Sequence, residues 1–346
     1  MHEQVRIVSA RESSLQLQPR ARYRLRFPAS WRHDPVKNRY ALALEQGTLD
    51  WLERYGIGAT AAEREKLRKF DCAAYGGYSL PGAPFSSALL VTQFISLWLF
   101  WDDAQVEDDV SWSIDDVVAA LTAQLAHQPA SRYVAAWSDL GHRLQRMASP
   151  AQRARLAQAM REWLHNAKLE TALARAYRDE GSCPNLETLF ACRTVSIGMY
   201  PTFHLIELAE GIELGDPFHG HPATQAVKHL ASRLVGLGND IGGIAKDLQN
   251  RWLNLVLVTA EHTQVSLERA FAQVVQLHND EVLAFDQAAA ALPSFGASND
   301  PFVQGWLQAV RHNVYGFALW ESQAERYQEF QAIVGDTPLL ASLVEG

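Results

Sequence analysis

From about residue 47 onward, apolar side chains recur every three or four positions, the period of a helix with one buried stripe. Clusters of glycine and proline break the pattern at 56–58, 76–84, 181–184, 211–222 and 293–301. Between these stops the periodicity predicts helices near 47–55, 60–74, 86–103, 114–126, 130–146, 150–178, 185–210, 223–262, 264–291 and 302–333. Ser113, with Asp116 three positions on and an apolar run behind it, reads as an N-cap with an acid in the first turn. Alternating apolar and polar positions are scarce, and the first forty residues look irregular, with room for one short strand in 5–17. The expectation is an all-α chain: an arm over 1–40, one helical domain over 41–335 on which the arm packs, and a tail over 336–346.

The stretch 88–101 is apolar on nearly every face, yet it carries Thr92, Gln93 and Ser96. No window reaches the roughly 18 uninterrupted apolar residues of a membrane span, so this reads as a core helix. Composition supports a large core, since 48% of the 346 residues are hydrophobic. A formal net charge of −8 excludes the basic footprint that a nucleic-acid binder needs. Cys72, Cys183 and Cys192 are odd in number and match no zinc spacing, which points to a reducing, cytoplasmic setting. Residues 1–32 are rich in Arg and Gln and contain no secretory apolar core.

Two polar strings carry candidate chemistry. The first, Phe100-Trp101-Asp102-Asp103-Ala104-Gln105-Val106-Glu107, closes the most apolar helix. Adjacent carboxylates repel each other and resist desolvation. A bound cation removes that penalty, and Mg²⁺ takes hard oxygen ligands while sharing phosphate oxygens. Alone, an Asp-Asp pair at a helix end is most often a solvated terminus, and further pairs follow at Asp108-Asp109 and Asp115-Asp116. The second string, Asn239-Asp240-Ile241-Gly242-Gly243-Ile244-Ala245-Lys246-Asp247, interrupts a long helical stretch over 223–261. Asn239, Gly243 and Asp247 are spaced i, i+4, i+8 and share one helix face. Gly243 leaves room for a water in a metal shell, and Lys246 can pair with a phosphate. Two consecutive glycines cost about 1 kcal/mol each inside a helix, so they call for a reason.

Together the strings resemble those of bacterial class I terpene synthases, which carry an aspartate-rich motif on one helix and an Asn–Ser–Glu triad on a facing one. Residues 102–107 resemble the DDxxxE form of the first motif, with Val106 where DDxxD has its last Asp. Asn239, Gly243 and Asp247 fall on the triad, glycine replacing serine and aspartate replacing glutamate, and Lys246 stands at the basic diphosphate-binding position. Arg193, 46 positions before Asn239, resembles the arginine that senses diphosphate. Arg326-Tyr327, 87 positions after Asn239, resembles the family's C-terminal Arg-Tyr pair, with Trp320 upstream. Trp51-Leu52-Glu53-Arg54-Tyr55-Gly56 and Asn254-Leu255-Val256 are weaker echoes, and the likeness covers roughly residues 30 to 330.

The resemblance implies an α-helical bundle around a central cavity and a carbon–oxygen lyase acting on a diphosphate. Metal ligation, with three Mg²⁺ ions, falls to Asp102, Asp103, Glu107, Asn239, Asp247 and, through water, Gly243. Arg193, Lys246, Arg326 and Tyr327 would act on the leaving group. Phe94, Ile95, Trp98, Ile197, Gly198, Met199, Phe203 and Trp320 would line the substrate pocket, though each ring equally reads as ordinary core packing. The implied partner is a linear isoprenoid diphosphate, farnesyl first and geranylgeranyl as the alternative, and a homodimer is compatible with it. The rival within the fold is a chain-elongating transferase, which would carry a second aspartate-rich motif where this chain has Asn239-Asp240.

Overall fold

The computed structural model describes residues 24–108, 113–325, 327 and 333–335, the side chains of 103–108 and 333–335 excepted. The helices are α1 (Ala41–Arg54), α2 (Ala61–Phe70), α3 (Tyr75–Ser79), α4 (Phe85–Asp108), α5 (Ile114–Leu121), α6 (Arg132–Met147) and α7 (Pro150–Glu180). They continue with α8 (Leu186–Ser196), α9 (Met199–Glu210), α10 (Asp216–His219), α11 (Pro222–Asn250), α12 (Leu255–Thr263), α13 (Leu267–Ala290) and α14 (Asp300–Gln323). The described strands are β1 (Arg24–Arg26) and β2 (Ile333–Gly335), paired in parallel with Arg24 opposite Ile333. The strand expected in 5–17 lies outside the described residues.

Local chemistry sets the helix limits. The side chains of Ser113, Ser131, Asn185 and Ser266 each cap the first turn of the helix behind them. Reciprocal capping boxes start α2 at Thr60/Glu63 and α7 at Ser149/Gln152. Two long helices expected as continuous are broken. The 185–210 stretch divides at Ile197-Gly198, where Gly198 takes a φ of 87°. The 223–262 stretch divides at 251–254, where Arg251 is left-handed and Asn254 caps α12. The last long helix stops at Gln323, not near 333, and α3 and α10 form where loops were expected.

Helix α4 is buried round most of its circumference, which its composition requires. Its internal polar groups are all engaged: Thr92 donates to Ala88 O, Gln93 to Gly47 O and Ser96 to Cys72 O. The stretch Phe85–Asp102 is long and apolar enough to cross a membrane, but 72% of it is buried inside the fold. Buried apolar residues form two clusters, one built mainly from α1–α7 and the other from α8–α14. Helix α9 faces both, with Met199, Phe203 and Ile206 in one and Leu205 and Leu208 in the other. The segment after β1 is locked down by Phe27 and Trp31, whose rings pack against Tyr315 and Phe285. The indole of Trp31 donates to Asp286.

Candidate active site

A cavity of about 520 Å³ opens between α4, α7, α8, α9, α11 and α14. Helix α4 contributes Ile95, Trp98, Leu99 and Asp102, one face at i, i+3, i+4 and i+7. Along that face Ile95 and Trp98 are buried and Asp102 is exposed, so the polar group marks the mouth. Helix α11 contributes Val235, Asn239, Asp240, Gly243, Lys246, Asp247 and Asn250. It too turns from apolar to polar toward its C-terminal end. Helix α7 adds Trp163, Ala167, Glu170 and Thr171.

The break between α8 and α9 puts Arg193, Ser196, Ile197, Met199 and Thr202 on the wall. Its geometry depends on Gly198: a Cβ there would lie 1.9 Å from the Trp98 ring. Gly198 is therefore the floor on which the Trp98 indole rests. Trp98 in turn meets Trp163 at 4.3 Å between ring centroids.

Buried Arg193 donates to Glu170 at 2.8 Å, to Asn239 Oδ1 at 3.0 Å and to Asp240 Oδ1 at 2.5 Å. Burial works against its charge, but Asp240 and Glu170 outweigh this and raise its pKa above the ordinary arginine value. Burial raises the Asp240 carboxyl, and Arg193 pulls it part of the way back. The Nε–H of Arg193 is buried without an acceptor among the described residues. Asn239 donates its amide to Glu321 at 2.7 Å, which leaves its oxygen toward Arg193. Asn254 bridges Asp240 O at 2.7 Å and Asp247 Oδ2 at 2.9 Å. Its own oxygen caps α12 through Val256 N.

Most expected site residues meet here: Asp102, Arg193, Asn239, Gly243, Lys246, Asp247 and Tyr327, with Ile95, Trp98, Ile197 and Met199, all line the one cavity. Arg326 lies outside the described residues, and so do the side chains of Asp103 and Glu107. Three aromatics expected in the lining stand behind it. Phe94 turns to Trp137, with centroids 4.9 Å apart. Phe203 packs on Trp306. Trp320 is fully buried, donates to Asp71 O, and backs Tyr75, Phe317 and Tyr327. The glycine pair does not interrupt its helix, because α11 runs unbroken to Asn250. A Cβ on Gly243 would stand 3.2 Å from Asp247 Oδ2.

Glu170, Trp163, Tyr75 and Phe317 were not expected. The mixed stripe Trp163-Ala167-Glu170-Thr171, apolar to polar on one face, is the unused signal in the sequence for the α7 wall.

An all-helical bundle with an acidic-mouthed, aromatic-walled cavity, and an arginine held beside two carboxylates, defines an enzyme that binds an anion above an apolar substrate. A model of terpene synthase family 2, the C-terminal metal-binding region, matches residues 93–283. This is more than half of the chain, and the protein belongs to that family. The chain is 28% identical over 318 residues to a (+)-T-muurolol synthase of Roseiflexus castenholzii, covering 88% of this chain and 94% of the relative. It is 24% identical over 317 residues to a 10-epi-cubebol synthase of Sorangium cellulosum, covering 88% and 96%. The 2-methylisoborneol synthase of Streptomyces coelicolor A3(2), solved with Mg²⁺ and 2-fluoroneryl diphosphate, shares the fold with a TM-score of 0.72. The identity is 23% over 86% of this chain and 95% of that one. The protein is thus a class I terpene synthase, a lyase that releases diphosphate from a linear isoprenoid diphosphate.

Proposed function

We propose that the chain ionises farnesyl diphosphate with three Mg²⁺ ions and cyclises the resulting cation. The observation that carries this is the meeting of Asp102 from α4 with Asn239 and Asp247 from α11 beside Arg193, at one mouth of an aromatic-walled cavity. The donors are all oxygens, which suits a hard cation. Four carboxylates, Asp102, Glu170, Asp240 and Asp247, line the cavity against Arg178, Arg193 and Lys246, so the wall has room for added positive charge before it accepts an anion. Asp103 and Glu107 extend the α4 half of the ligand set. Bound Mg²⁺ supplies Lewis-acid stabilisation of the departing diphosphate.

The protein's own groups do the rest. Arg193 on the cavity wall, with Lys246, Arg326 and Tyr327, offers charged or polar donors to the diphosphate. Ile95, Trp98, Trp163, Met199 and Phe317 exclude water from the isoprenoid chain. The faces of Trp98 and Trp163 stabilise positive charge by about 0.5–2 kcal/mol per ring. The cavity volume falls within the range of small-molecule pockets. The farnesyl preference is supported by the muurolol synthase relative, whose name states that it cyclises (2E,6E)-farnesyl diphosphate. A reducing, cytoplasmic setting fits three cysteines that are all unpaired.

The test offers geranyl, farnesyl and geranylgeranyl diphosphates separately with Mg²⁺ and analyses the extracts by gas chromatography. Farnesyl diphosphate is expected to show the highest kcat/KM and to give cyclic C15 products. A higher value for geranylgeranyl diphosphate, or turnover only when isopentenyl diphosphate is added, overturns the assignment.

A further inference from the structure

Away from the cavity, α9 and α10 bring together His204, Glu207 and His219, none of which lines it. Glu207 is fully buried and the two imidazoles are nearly so. His219 Nε2 stands 2.9 Å from Glu207 Oε1, and His204 Nδ1 stands 3.7 Å from Glu207 Oε2. One ligand atom from each residue lies within 4.8 Å of the other two. Yet His204 Nδ1, His219 Nε2 and both carboxylate oxygens make no hydrogen bond to any described group. A buried carboxylate and two imidazoles whose atoms converge in this way present a ready ligand set. The other nitrogen of His219 is held by buried Lys228, Nζ to Nδ1 at 2.9 Å.

We propose that His204, Glu207 and His219 form a second metal site, taking Zn²⁺ or a similar transition-metal ion with a water as fourth ligand. Two imidazoles and one carboxylate suit such an ion, whereas the all-oxygen diphosphate site does not. Lys228, in contact with Nδ1, leaves Nε2 as the ligand atom of His219. The ion would pin the α9–α10 segment behind the part of α9 that presents Met199 and Thr202 to the cavity.

Co²⁺ serves as the probe, titrated into the full-length protein without diphosphate. One equivalent is expected to give the intense visible bands of a four-coordinate nitrogen–oxygen site. Zn²⁺ should displace it and a large excess of Mg²⁺ should not. The bands should disappear in His204→Gln and Glu207→Gln that remain folded by circular dichroism, and persist in Asp102→Asn/Asp247→Asn. Absence of the bands in the unaltered protein, their survival in both Gln variants, or their loss in the double Asn variant overturns the proposal. Should the Gln variants fail to fold, the double Asn protein decides: Zn²⁺ is expected to raise its Tm by several degrees, and a Tm that does not move overturns the site.

Discussion

On the proposed assignment, Arg193 and Trp98 divide the work between the two halves of a substrate. Arg193 is fixed by two carboxylates on the cavity wall, so it should act on the leaving group. Lysine keeps the charge but loses the fork that spans Glu170, Asp240 and Asn239. Arg193→Lys is expected to lower kcat/KM about 100-fold, roughly 2.7 kcal/mol of barrier, with product ratios preserved. Trp98→Leu should consume substrate at a similar rate but release more acyclic and early-quenched products. Measuring substrate loss and product ratios together checks both, and an arginine variant that rewrites the products contradicts the division. Gly243→Ser tests the triad departure. Family resemblance alone makes the serine welcome, but its Cβ would press on Asp247 Oδ2 at 3.2 Å, and Asn254 holds that oxygen from the other side. The variant should fold normally yet need more Mg²⁺ for half-maximal rate. An unchanged Mg²⁺ titration would show that Asp247 yields freely.

At the scale of the element, the short turn between α11 and α12 does two jobs with one side chain. The oxygen of Asn254 caps α12, while its amide ties Asp247 and the Asp240 carbonyl to the start of that helix. The two jobs can be separated. Asn254→Ala should lose the cap, at about 1 kcal/mol, and the tie as well. Asn254→Ser should keep the cap, and hence most of the Tm, but lose the tie. Both are expected to cut turnover, so thermal melts beside rate measurements make the check. A fully active serine variant would show that Asp247 needs no support from α12.

Across the whole molecule, the proposed ligands arrive from helices far apart in sequence, α4 and α11, which meet only because two apolar clusters pack on either side of the cavity. Neither acidic string can gather the ion cluster alone. Excess EDTA is therefore expected to abolish turnover, and Mg²⁺ should restore it. Turnover that survives EDTA contradicts the metal assignment. A loss of Tm on chelation that Zn²⁺ reverses and Mg²⁺ does not is the separate behaviour expected of the site at His204, Glu207 and His219.

Helical class and most helix limits were legible because they depend on neighbours in sequence. Apolar period, caps such as Ser113 and glycine–proline stops act within a turn or two. The two candidate strings were legible for the same reason: Asn239, Gly243 and Asp247 share a face by helix geometry alone. Side-chain direction between helices was not. Trp320 and Trp98 are both apolar rings near a motif, yet Trp98 faces the cavity and Trp320 serves Asp71 and the ring of Tyr327. Glu170, 23 positions from Arg193, became its partner only when α7 packed on α8. The two breaks that shape the wall depended on contacts as well, since Gly198 must admit the Trp98 indole and Asn254 must reach back to Asp247. Periodicity fixes which residues share a face, whereas close packing, in which each niche accepts one shape, decides what that face meets.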